Sequence, residues 1–265
     1  MSVRPVPVLM YHHVAADREV TPRQFERHLQ HLKEKGYTTP ALPGLLKTLS
    51  GHGDGGRQVV ITFDDGYADN WICAWPLLKK YGFRAVVFAT TARLGEGAPR
   101  PTLADGAASP DTLADERGRN GFLTWQELAA MTASGVFEAG SHTHTHRNFA
   151  KRSEYADLAW ELEESSRLIE AHTGVKPLSL GWPWGHHSRS WEPMVRKAGY
   201  RLAFTTVTGV NKPGCDPLYL KRIKVSRGDI SWLRNRLFLH TLPLVSDVYG
   251  RLYGLDRKLR GRPRS

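Results

Sequence analysis

Two clusters of side chains in this 265-residue chain have the types and spacing needed to hold a metal ion and move a proton. The first is Thr62-Phe63-Asp64-Asp65-Gly66-Tyr67, which closes the apolar run Val59-Val60-Ile61. Two adjacent carboxylates at the end of a buried strand are costly in a low-dielectric interior unless a metal or a strong hydrogen-bond partner meets them. The second cluster, Gly140-Ser141-His142-Thr143-His144-Thr145-His146, again ends an apolar stretch. One carboxylate with two imidazoles is a common ligand set for a divalent transition metal. The remaining carboxylate is then free to act as a base on water. That is hydrolytic chemistry.

Asp65 with two of the histidines would leave coordination positions open, and such a site lowers the pKa of its water to about 7 and polarises a carbonyl. His142 and His146 share a face if the chain turns helical after the strand; His142, His144 and His146 all share one if it stays extended. Asp64 is the candidate base, and capping the following helix is its plainer role. In Trp182-Pro183-Trp184-Gly185, proline has no N–H, so the next backbone donor is that of Trp184. That donor suits an oxyanion, and the rings suit the apolar face of a sugar. Protonating a departing amine calls for a second acid, and His12 or His13 after the first apolar segment fits the task.

The elements that must position these groups alternate. Strands are predicted at 6–12, 58–64, 84–90, 136–141, 178–181, 200–205 and 220–225, and helices at 23–35, 68–81, 124–133, 153–173, 188–197 and 229–238. Residues 95–120, rich in Gly, Ala, Pro and Asp, read as an inserted loop placed to cover the site. Repeated β–α alternation favours a parallel sheet or barrel, and His12, Asp64, Asp65, His142 and Trp184 all fall at the C-terminal ends of strands, where barrel enzymes build their sites.

Hydrophobic content of 40% supports a real core, and no segment approaches the ~18 apolar residues of a membrane span. Two cysteines, Cys73 and Cys215, make no disulfide framework. The start of the chain has no signal-peptide pattern, which predicts a cytoplasmic protein or one peripheral to the inner membrane. Of the net charge of +11, residues 221–265 carry +9, twelve Lys/Arg less three Asp. The basic tail at 241–265 suits an anionic membrane surface. Nucleic acid is not favoured, since no recognition motif accompanies the charge.

The motifs resemble those of the polysaccharide deacetylases, metal-dependent de-N-acetylases with a distorted NodB-type (β/α)-barrel of about seven parallel strands. Thr62-Phe63-Asp64-Asp65-Gly66 is similar to their first motif, which implies Asp64 as base and Asp65 as metal ligand. The histidine run is similar to their second, which implies His142 and His146 as the other ligands. Trp182-Pro183-Trp184-Gly185 is similar to the third, with Trp184 where tyrosine is usual and its N–H as oxyanion donor. Leu9-Met10-Tyr11-His12-His13-Val14 fits the permuted branch that acts on poly-N-acetylglucosamine, which implies His12 as the acid. The arginine that usually orients the base is missing, because Gly181 stands there, and Arg222 is the substitute.

The resemblance implies a catalytic domain over 1–240 that removes N-acetyl groups from an acetylated aminosugar glycan, polymeric or lipid-linked. Zn2+ is the first choice of metal, with Co2+, Ni2+ or Mn2+ as alternatives. Tyr11, Trp182, Pro183 and Arg222 are expected to line the substrate. The rival readings are a small-molecule amidohydrolase of the same fold and a non-catalytic carbohydrate-binding module.

Overall fold

The computed structural model describes residues 4–106, 121–149 and 157–241. Within them, the apolar strand runs predicted above pair side by side in parallel. The strands are β1 (Val6–Tyr11), β2 (Tyr37–Thr38), β3 (Arg57–Gln58), β4 (Val60–Phe63), β5 (Ala85–Ala89), β6 (Phe137–Ser141), β7 (Ser179–Gly181), β8 (Leu202–Thr208), β9 (Val210–Asn211) and β10 (Leu220–Lys224). The order β1-β4-β5-β6-β7-β8-β10 closes on itself through β10 and β1, giving a barrel of seven parallel strands among the described residues. β9 adds an antiparallel edge to β1, and β2 pairs with β3 outside the barrel.

Around the barrel lie α1 (Pro22–Glu34), α3 (Trp75–Tyr81), α4 (Trp125–Ala133), α5 (Leu158–Thr173), α6 (Glu192–Lys197) and α7 (Ile230–Thr241). Local chemistry sets their ends. Thr21 with Gln24 and Thr124 with Glu127 form capping boxes that satisfy the first free N–H groups of α1 and α4. Gly82 and Gly174, in left-handed conformation, close α3 and α5. The helix expected over 68–81 differs in one respect: its first part, Asn70–Ala74, is a π-helical turn. Such turns often mark functional sites. A further short helix, α2 (Leu42–Leu49), was not expected.

Strand alternation divides the core into two layers. Val6, Val8, Val60, Val86, Phe88, Leu202, Phe204 and Leu220 point inward and meet Leu42, Leu45 and Leu49 of α2, which packs against the N-terminal half of the barrel interior. Leu9, Tyr11, Ile61, Phe63, Val87 and Ala89 point outward beneath the helices. Because the period is two, inward parity continues past the strand ends to His12 after β1, Asp64 after β4, His142 after β6, Gly181 in β7 and Arg222 in β10. The sheet positions the site.

The described part of the 95–120 insertion is anchored rather than free. The Arg100 guanidinium donates to both carboxylate oxygens of buried Glu127 at 2.6–2.8 Å and to the Phe122 carbonyl, and its carbonyl accepts from Trp71. Residues 107–120 and the basic tail from 242 onward lie outside the described residues. No described helix is long and apolar enough to cross a membrane.

Candidate active site

Register brings the two clusters together. Tyr11 pairs with Phe63, so His12 and Asp64 leave adjacent strands side by side, and the Asp64 N–H donates to the Tyr11 carbonyl at 3.0 Å. Asp64 is buried, and the Arg222 guanidinium grips it: Nη1 donates to Oδ1 at 2.6 Å and Nη2 to Oδ2 at 2.9 Å. Arg222 is itself fixed by bonds from Nε to the Thr205 carbonyl and from Nη1 to Thr62 Oγ1, over the ring of Phe88. Burial alone would raise the Asp64 pKa. Arg222 opposes it most strongly and, together with His142 and His12, holds the carboxyl below its ordinary value. Asp64 is thus ionised and oriented.

Asp65 has φ 73° and turns away from the strand's parity. Its Oδ1 lies 3.1 Å from His146 Nε2 and 3.5 Å from His142 Nε2. The donor atoms of these three residues all fall within 4.8 Å of one another. Burial again pushes upward, but the two histidines bring the Asp65 pKa well below the carboxylate range. Oδ1 is buried and accepts no well-formed hydrogen bond. An orphaned carboxylate oxygen facing two imidazole nitrogens at ligand spacing fits a divalent cation.

The histidine that ends β6 is prepared for that role. His142 Nδ1 lies 2.7 Å from the Gly181 carbonyl, which can only accept, so Nδ1 carries the proton and Nε2 keeps its lone pair. Burial also lowers the His142 pKa, against the pull of Asp64 and Asp65, and so favours the neutral ligating form. After Ser141 the chain coils into a tight loop in which Thr143 and His146 take left-handed conformations. Thr143 N–H donates to Ser141 Oγ and His146 N–H to Thr143 Oγ1. This geometry settles which imidazoles converge: His144 turns away and bonds Thr91 Oγ1 through Nδ1 at 2.9 Å.

Several supports were not visible in the sequence. Buried Glu161, in the first turn of α5, accepts from the N–H groups of His144 and Thr145 at 2.8 Å and from the Thr145 hydroxyl. Asp69 binds His13 Nδ1 at 2.6 Å and the Val14 N–H, and Asn70 Nδ2 donates to the His12 carbonyl at 3.0 Å. Both residues belong to the start of the π-helical turn. Tyr67 stacks on His13; burial first, then the nearby Asp65 carboxylate, pushes its phenol up to about 12. An acid in the first turn after a histidine loop was the available signal for Glu161.

The two candidate acids separate by parity. His13 is engaged by Asp69 and Tyr67, whereas half-buried His12 keeps the inward parity of β1 and leaves its strand beside Asp64. A cavity of about 240 Å³ adjoins His12, between the loop after β1 and the end of β10. Trp184 has φ 58° and is 59% exposed, and its ring meets His146 at 5.4 Å. Asp65, Thr143, His146 and Trp184 are the four non-glycine residues with positive φ among those described, each costing about 1–2 kcal/mol. All four sit in this one site.

Of the residues expected to line the substrate, Tyr11 borders the cavity beside His12, and all four are buried. Tyr11 has outward parity and is buried against Phe25 and Phe63, its hydroxyl donating to His28 Nδ1. Trp182 packs on Trp191 in the core and Pro183 is buried beside it. Arg222 spends its guanidinium on Asp64, so it positions the base rather than a sugar. Gly181 could not carry the arginine that usually does this. A Cβ there would stand 2.7 Å from the Phe88 ring and 3.1 Å from His142 Nδ1.

Comparison with known proteins agrees with the geometry. The family model for polysaccharide deacetylases matches residues 52–203. A putative polysaccharide deacetylase of Bacillus subtilis is 26% identical over 84% of this chain and 72% of its own length. A Staphylococcus aureus poly-beta-1,6-N-acetyl-D-glucosamine N-deacetylase is 25% identical over 64% of this chain, which spans about half (55%) of that protein. The structure of IcaB from Ammonifex degensii superposes with a TM-score of 0.73 at 23% identity, covering 89% of this chain and 97% of that one.

Proposed function

The chain belongs to the polysaccharide deacetylase family, and from that premise we propose that it removes N-acetyl groups from the aminosugar residues of a poly-N-acetylglucosamine-type glycan. The observation that carries this reading is the pairing of an Arg222-held Asp64 with the converging Asp65, His142 and His146. A polymer is favoured over a lipid-linked precursor because the curated Staphylococcus aureus relative is named for a polymer.

Asp65, His142 and His146 would hold a divalent metal, Zn2+ first by ligand type, which when bound polarises the acetyl carbonyl and acidifies water. Asp64, ionised beside Arg222, accepts a proton from water as its oxygen adds to the carbonyl carbon. The Trp184 N–H donates to the carbonyl oxygen as it gains negative charge. His12, as imidazolium, then gives a proton to the sugar nitrogen while the C–N bond breaks, releasing acetate and a free amino sugar. The family match begins at residue 52, so the role of His12 rests on its parity and on its position beside both carboxylates.

The test is acetate release from β-1,6- and β-1,4-linked N-acetylglucosamine oligomers by metal-loaded protein. Release from the β-1,6 series, lost with His12→Ala and His142→Ala, is the expected result. Release from neither series overturns the proposal.

A further inference from the structure

We propose that Trp160 is a second sugar-stacking position, outside the catalytic centre, which extends the binding surface along the barrel rim and makes long glycan chains better substrates than short ones. The inference rests on the deacetylase reading and deepens it. Trp160 stands in the first turn of α5 (Leu158–Thr173). That helix begins at the C-terminal end of the barrel, where β6 ends and the metal-ligand loop starts. The side chain is 51% exposed. A lone exposed apolar residue calls for no explanation. Trp160 is held in place, however, and is not alone.

Its ring meets His144 edge-to-face at 5.1 Å and 84°, a contact that covers at most one face of the indole. His144 is in turn fixed by Thr91, and its loop is clamped by Glu161, the next residue after Trp160. Two residues further along the same loop, His146 carries the other half-exposed tryptophan, Trp184. A single rigid loop therefore presents two indoles on one rim, one on the ring of a metal-ligating candidate and one on the ring that faces away.

The occupant that fits is further sugar of the same polymer. A pyranose has an apolar C–H face that an indole can cover, and a rigid aromatic loses little entropy on binding. An anionic partner would instead call for unpaired cations, and the described cations nearest Trp160 in the chain are engaged, Arg147 with Asp157 and Glu161 and Arg167 with Glu164.

The experiment compares wild type, Trp160→Ala and Trp160→Phe on N-acetylglucosamine oligomers from dimer to a long chain, by acetate release and by calorimetric titration. In Trp160→Ala, the ratio of kcat/KM for the long chain to that for the dimer should fall about tenfold, equivalent to about 1.4 kcal/mol, and Trp160→Phe should keep most of it. Equal losses at all lengths would mark a structural role through His144, and no loss would remove the stacking position; either overturns the proposal. Wild type that releases no acetate from any oligomer overturns the proposed function instead. The titration of wild type and Trp160→Ala with the long chain then decides the stacking position independently.

Discussion

The site is decided by which neighbour in a pair faces inward. In Asp64-Asp65 the first carboxylate keeps the strand's parity and meets Arg222, while the second bends through positive φ to meet the imidazoles. In His12-His13 the first faces the carboxylates and the second is held by Asp69. Asp64, Asp65, His142, His146 and His12 were legible because residue type and spacing limit which chemistry they can do. The pairing of Arg222 with Asp64 was only suggested by the sequence, since 158 positions separate them and barrel closure alone joins them. Tyr11 borders the cavity beside His12, but alternation turns its ring outward against Phe25 and Phe63. Arg222→Met should reduce kcat at least ~100-fold, the cost of misplacing a reacting group. It should also lower stability by about 3–5 kcal/mol by leaving a buried charge unpaired, while Arg222→Lys retains more of both. Acetate release, metal analysis and urea unfolding of the two variants check this. A fully active Arg222→Met would show that Asp64 needs no orientation.

Elements carry the second set of consequences. Caps, glycine stops and apolar periodicity made α1, α4 and the barrel strands readable, whereas α2, the short β2–β3 pair and the π-helical turn depend on tertiary packing that no local pattern announces. Glu161 ties α5 to the metal-ligand loop, so Glu161→Gln should weaken divalent-metal affinity about 10–100-fold, as loss of an outer-shell partner does. Competition with a chromogenic chelator would measure it, and unchanged affinity would refute the clamp. On α1, buried His28 donates through Nε2 to the Gly228 carbonyl and accepts from Tyr11, and burial lowers its pKa to about 4 from 6.5. The unfolded chain therefore takes up this proton first as pH falls. The stabilisation is full above pH 6.5 and fades by about 1.4 kcal/mol per pH unit, to a loss of about 3 kcal/mol near pH 4. Urea midpoints at pH 7 and pH 5 should show a steeper decline for wild type than for His28→Gln. Parallel slopes would exclude His28 as the source.

At the scale of the whole molecule, the barrel gathers strained and charged groups that would not assemble alone. Four left-handed residues and two buried carboxylates are held by strands whose interiors close around Phe88, with Gly140 and Gly181 leaving room for its ring. A ligand that joins Asp65, His142 and His146 binds the folded chain only. At a hundred times its dissociation constant it adds about 2.7 kcal/mol, which for a chain this long raises Tm by about 5–10 °C. Chelation should reverse that shift, and His146→Ala should abolish it. A Tm indifferent to added metal would argue against the site. The most direct test is single-site: Asp64→Asn, assayed for acetate release with its metal content measured beside wild type. The account predicts one divalent ion per chain in both proteins and a kcat at least ~1,000-fold lower in the variant. Near-wild-type turnover by metal-loaded Asp64→Asn would contradict Asp64 as the base.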